Sequence, residues 1–148
     1  MNQMPDRGGW LEFSRPAFKL RFLYPAVTPR GRPVEITEEQ HDRAYRVHLT
    51  AREGGEIYLE FFRFPDLQSP EEYVRHRSYL AGRFGPEAVS ELTEMSLREW
   101  PAWSYALRGN GMERVVLSLQ VGRDTYRIIT DPRARLNDDI IATVSIKE

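Results

Sequence analysis

The sequence predicts an α+β fold, a three-layer α/β/α sandwich around a largely antiparallel sheet. Three observations carry that expectation. Short segments with apolar residues at every second position recur along the chain. One stretch, residues 69–84, has the ends and composition of a helix. Two late turns join three strands whose faces are both apolar, and a sheet apolar on both faces must be covered on both.

The first strand candidates are Trp10–Phe13 and Phe18–Tyr24. In the second, Phe18, Leu20, Phe22 and Tyr24 share one side, and Pro25 stops the strand because it cannot donate to a ladder. Residues 25–44 read as one long connection carrying Pro25, Pro29, Gly31 and Pro33. Within it, Thr37-Glu38-Glu39-Gln40 has capping-box form and predicts a turn or two of helix. Alternation resumes at Tyr45, with Tyr45, Val47, Leu49 and Ala51 opposite Arg46, His48, Thr50 and Arg52. Gly54-Gly55 then turns the chain into EIYLEFFRF (56–64), completing a hairpin.

The main helix follows. Ser69 suits the N-cap, Pro70 the first helical position, and Glu72 completes a capping box. Tyr73, Val74, Leu80, Ala81 and Phe84 are its expected apolar face, and Gly85-Pro86 ends it. Beyond it, 90–99, 101–108, 112–121 and 124–130 are strands, and Asn137 is placed as the N-cap of a short helix with Ile140, Ile141 and Val144 on its apolar face.

The late hairpins fix their own register. Two-residue turns at Asn110-Gly111 and Gly122-Arg123 set Arg108 opposite Glu113, Leu117 opposite Ile128 and Leu119 opposite Tyr126. One face then carries Ala102, Ser104, Ala106, Leu117, Leu119 and Ile128; the other carries Trp103, Tyr105, Leu107, Val116 and Ile129. The small residues at 102, 104 and 106 are expected to let a helix approach on their side.

The 148 residues suit a single domain spanning 1–148, with residues 1–9 expected to be a flexible N-terminus. Hydrophobic residues at 41% and charged residues at 29% exclude disordered and fibrous classes. A net charge of −1 supplies no overall field for nucleic acid or an anionic membrane, so neither is expected as a partner. There is no cysteine, which removes disulfides, thiolate metal sites and a cysteine nucleophile. No signal-like or membrane-spanning apolar run is present, and a cytoplasmic location is expected. Only Lys19 and Lys147 of the 21 basic residues are lysine, and interleaved glutamates are expected to pair with the arginines.

No residues announce catalysis. His41, His48 and His76 have no metal-ligand spacing, the serines sit in no nucleophile elbow, and Gly8-Gly9 and Gly54-Gly55 lack the form of a phosphate loop. Neither a metal nor a cofactor is expected. The acidic pairs Glu38-Glu39, Glu71-Glu72 and Asp138-Asp139 fall near expected helix starts, where negative charge is stabilising without any function. The aromatic residues Phe61, Phe62, Phe64, Trp100, Trp103 and Tyr105 are expected to be mostly core.

The order FKLRFLYP, FFRFPDLQSPEEYVRH and WPAWSYALR…ERVVLSLQVGRDTYRIIT resembles the PsbP-like superfamily over roughly residues 10 to 146. That fold is shared by the PsbP extrinsic subunit of photosystem II and the Ran-binding Mog protein of nuclear transport. The resemblance implies an antiparallel sheet between helix layers and a non-enzymatic binding or accessory role.

The expected function is therefore a binding or accessory module docking a protein partner or a small ligand. The alternatives are an enzyme with an unrecognised site and a self-associating domain that forms a homodimer. The expected partner-binding residues are Arg30 and Arg32, two guanidiniums in the proline-stiffened segment Thr28–Pro33 of the long connection.

Overall fold

A computed structural model describes residues 9–41, 44–51, 55–109 and 111–147. Residues 1–8 of the expected flexible N-terminus lie outside the described residues, as do Asp42, Arg52, Gly54, Asn110 and the side chain of His41.

In chain order the elements are β1 (Trp10–Arg15), β2 (Leu20–Pro25), β3 (Val34–His41), β4 (Ala44–Ala51), β5 (Tyr58–Phe64), α1 (Ser69–Phe84), β6 (Thr93–Leu97), β7 (Trp100–Gly109), β8 (Met112–Val121), β9 (Asp124–Thr130), α2 (Asn137–Ile141) and β10 (Ser145–Ile146). A large antiparallel sheet has the order β3-β4-β5-β9-β8-β7-β6, and a small one the order β1-β2-β10. The class is α+β, and the sheets are antiparallel.

The late hairpins pair as their turns require. Arg108 faces Glu113, Leu117 faces Ile128 and Leu119 faces Tyr126. Gly111 and Gly122 take the positive φ angles, 74° and 59°, that such turns need.

Both faces of the large sheet carry apolar clusters, but the covers differ from those expected. Helix α1 packs on β7, β8 and β9, where Leu80 joins Tyr105, Leu107 and Val116 in a small core. It thus covers the Tyr105 face, not the side of Ala102, Ser104 and Ala106. The opposite face is covered by the small sheet with α2 beside it, so the second cover is mainly strand and not a helix layer. Phe22 of β2 stacks on Phe61 of β5 with ring centroids 4.9 Å apart, and on Phe13 of β1 at 4.8 Å. Leu49, Leu59, Leu119, Ile128 and Ile140 complete this larger core. Sheets packed face to face bury alternate residues of both, which is why Phe13, Leu20 and Phe22 are buried while Glu12 and Arg21 are exposed.

Residues 25–44 are not one long connection. Val34–His41 is an edge strand, paired residue for residue with β4 from Val34–Ala51 to His41–Ala44. Val34 and Ile36 pack on the core while Glu35 and Thr37 point the other way. The capping-box lettering of Thr37–Gln40 loses to the backbone groups of β4, which that strand satisfies. The true connection is a short loop closed by Thr28: its N–H donates to the Arg32 carbonyl at 2.8 Å, and its Oγ1 accepts from the Arg32 N–H at 3.1 Å.

Helix α1 begins one residue earlier than capping predicts, with Gln68 at the N-cap and Ser69 inside. Ser69 Oγ lies 3.0 Å from Thr125 Oγ1, tying the helix start to β9. Its inward stripe is Ser69, Glu72, Tyr73, His76 and Leu80, whereas Val74 and Phe84 are exposed. The expected apolar face is rotated because the sheet beneath offers polar partners.

Candidate functional site

The polar partners under α1 belong to one charged sheet face. Strand register places Glu39, Arg46, Phe62, Arg127, Ser118 and Trp103 in a single row across β3, β4, β5, β9, β8 and β7. The next row holds Thr37, His48, Glu60, Ile129, Val116 and Tyr105. Residues aligned across neighbouring strands point to the same face, so the rows follow directly from period-two geometry. Their β7–β8 end is under α1. The β4–β5 end carries half-buried side chains, with Arg46 at 23% exposure.

Glu60 is the hub of that open end. Its carboxylate accepts from the Tyr58 hydroxyl at 2.5 Å and from Arg46 Nε at 3.2 Å. Burial opposes its charge, but the Tyr58 and Arg46 hydrogen bonds outweigh it and hold the carboxyl below its usual range. Burial pushes the Tyr58 phenol up, helped by the Glu60 carboxylate. Burial also lowers His48, whose ring stands edge-on to Tyr58 at 5.0 Å. Arg114 lies over the other part of this cluster, 4.1 Å from the Tyr58 ring centroid, and pairs with Asp131 at 3.1 Å.

Next to α1, Arg127 is sandwiched by charge and aromatic faces. Its guanidinium lies 4.4 Å from the Phe62 centroid and 4.8 Å from that of Phe64. It pairs with Glu72 of α1 at 3.0 Å, and Glu72 also accepts from Ser118 Oγ at 2.9 Å. One turn along the helix, His76 Nδ1 is 2.5 Å from the Tyr105 hydroxyl. Burial, reinforced by Arg127, drives His76 down to about 3 and so keeps it neutral.

The arrangement therefore offers arginines alternating with aromatic rings, and its carboxylates Glu39, Glu60, Glu72 and Asp131 are each paired with an arginine. Among the described residues, no group of three or more His, Cys, Asp or Glu side chains could hold a metal ion. No helix among them is long and apolar enough to cross a membrane.

Arg30 and Arg32 are both exposed, on the short turn that precedes β3. The structure does not bring them into the Glu60 cluster, and their long-connection setting is gone. Sequence reading missed Arg46, Tyr58, Glu60, Arg114 and Arg127 as a group. A signal existed: Arg46 and His48 alternate with the core residues of β4, and Glu60 and Phe62 with those of β5. Their convergence needed the pairing of β5 with β9, which no turn announces.

No family model and no curated protein matches the chain. Among solved structures it is similar to the solution structure of cyanobacterial PsbP (CyanoP) from Synechocystis sp. PCC 6803, with a TM-score of 0.58, 8% identity, and 94% of this chain and 93% of that one covered. A crystal structure from Bacteroides thetaiotaomicron VPI-5482 aligns with a TM-score of 0.48 at 12% identity, over 93% of this chain and 48% of that one. The chain has a PsbP-like fold.

Proposed function

We propose that this chain is a cytoplasmic, non-enzymatic binding or accessory module that docks a protein partner on the open end of its charged sheet face. The observation that carries the reading is the half-buried alternation of Arg46, Phe62, Tyr58 and Arg114 beside helix α1. Arginine and tyrosine are the residue types that most often anchor interfaces, because each combines a large apolar surface with polar tips. Here the ion pairs and ring contacts hold the side chains before any partner arrives, which lowers the ordering cost of binding. Arg30 and Arg32 supply a second, peripheral contact in this reading.

The test is site-specific photocrosslinking in cells that express the protein, with the probe at His48 or, as a control on the other side of the fold, at Leu11. A protein adduct should form from position 48, weaken in Arg46→Ala/Arg114→Ala, and weaken less in Arg30→Glu/Arg32→Glu. Equal adducts from both probe positions, or none from position 48, would overturn the reading. An adduct with a second copy of the chain would make the domain a homodimer. Fractionation of the same cells checks the location.

A further inference from the structure

The two lysines of the chain, far apart in sequence, meet in the fold: the Lys147 N–H donates to the Lys19 carbonyl at 2.8 Å. They flank a cavity of about 490 Å³ on the outer surface of the small sheet. Arg15, Arg21, Ser14 and Ser145 also line it, and no carboxylate does so among the described residues. We propose that this cavity is an anion-binding site for a small molecule carrying two linked phosphate groups.

Register builds the floor. Ser14, Arg21 and Ser145 stand side by side across β1, β2 and β10, so their side chains leave the same face of the small sheet. Neither serine hydroxyl has an intramolecular partner among the described residues, and both are free to donate to an anion. The two arginines are already positioned, Arg15 by Glu38 at 3.1 Å and Arg21 by Glu12 at 2.6 Å, and neither carboxylate lines the cavity. Neither lysine forms an ion pair among the described residues; Lys19 is near enough to Asp124 to favour its charge, but that carboxylate lines the neighbouring pocket and not this one.

The backbone at Lys19 adds a second line of argument. Its φ is 55°, a left-handed conformation uncommon for a residue with a side chain. The conformation is held by hydrogen bonds from the Lys19 N–H to the carbonyls of Arg15 at 3.0 Å and Pro16 at 3.2 Å. Lys19 closes the turn between β1 and β2, and this conformation sets the direction in which its side chain leaves the backbone. The cavity lies in the range that small ligands fill, and four cations around it suit more than one anionic group. Arginine supplies bidentate contacts and lysine a compact point charge, a division of work familiar in phosphate recognition.

The site is on the opposite side of the molecule from the charged sheet face, so its test is independent of the function proposed above. Isothermal titration with inorganic pyrophosphate at constant ionic strength should show saturable binding, and citrate should bind more weakly. Lys19→Asn with Lys147→Gln should lower the pyrophosphate affinity at least about tenfold, as expected for losing charge-assisted contacts. Asparagine tolerates the left-handed backbone, and the single variant Lys147→Gln, at an exposed position, serves if the double variant melts early. Lys147→Arg should retain binding. Backbone amide shifts on titration should cluster at Ser14, Arg21 and Ser145. Absence of saturable pyrophosphate binding, tighter binding of citrate, unchanged affinity in both the double and the single lysine variants, or shifts centred on Arg46 and Arg114 would each overturn the proposal.

Discussion

Glu72 and Arg127 form an ion pair across the interface between helix and sheet, 3.0 Å apart, with the Glu72 side chain only 4% exposed. Burial raises the Glu72 carboxyl despite Arg127 and Ser118, and lowers Arg127 despite Glu72. Both shifts say the same thing: each charge has been taken out of water and is repaid only in part by its partner.

That relationship predicts an asymmetric mutational response. Glu72→Ala leaves Arg127 desolvated and Ser118 without its acceptor, and should cost about 3–5 kcal/mol in urea unfolding. Replacing Glu72 and Arg127 with Met, together with Ser118→Ala, should be markedly less costly than Glu72→Ala alone. If the triple variant is the less stable of the two, the pair is a net stabiliser.

His76 predicts the acid limb of stability. It is neutral in the fold because burial, then Arg127, lowers it from 6.5 to about 3. The unfolded chain therefore binds a proton that the folded chain refuses between those values. This contribution is fully present above pH 6.5 and is lost as pH falls toward 3, on the order of a few kcal/mol in all. His76→Gln keeps a partner for Tyr105 and should flatten the loss of melting temperature between pH 7 and 4. An unchanged slope would mean that His76 is already protonated in the fold.

The larger core makes a simpler prediction. Leu119 has no exposed surface and sits between Ala102 and Tyr126 in register. Leu119→Ala should cost about 2–5 kcal/mol. Leu117, on the same strand face but only partly buried, should cost less on the same change. A reversed order in chemical denaturation would contradict the packing of the small sheet over Leu119.

The contrast between legible and illegible parts has a physical cause. Pairing across β7, β8 and β9 could be written down from Gly111 and Gly122, because a two-residue turn fixes register through local geometry. The edge strand β3 could not, since Thr37–Gln40 has the lettering of a helix start and only the presence of β4 decides otherwise. The charged face was hidden for a related reason. Phe62 meets Arg127 only because β5 pairs with β9, a contact between distant segments. Helix α1 defeated the usual rule more directly. Its buried stripe holds Glu72 and His76 because Ser118, Arg127 and Tyr105 wait beneath it.

Asn137 offers the last test, and it links the fold to the proposed docking face. Sequence reading makes it a helix cap, yet its side chain does no capping. Instead its Oδ1 accepts from the Tyr58 N–H at 3.0 Å, while Nδ2 donates to the carbonyls of Tyr58 at 2.8 Å and Asp131 at 3.1 Å. The amide thus acts as a strand partner at the start of β5 and holds the backbone of Tyr58, the residue that bonds Glu60 and carries Arg114 on its ring. Asn137→Ala would leave these backbone groups unpaired in a buried setting, at a cost of about 1–3 kcal/mol or more. Asn137→Asp should cost at least as much, because a carboxylate can accept from the Tyr58 N–H but cannot donate to either carbonyl. Native-state hydrogen exchange of the Tyr58 amide should accelerate in both variants, while that of Leu119 should change only with global stability. Unaltered protection at Tyr58 would show that β5 is fixed by its neighbouring strands and that Asn137 plays no part in placing the site.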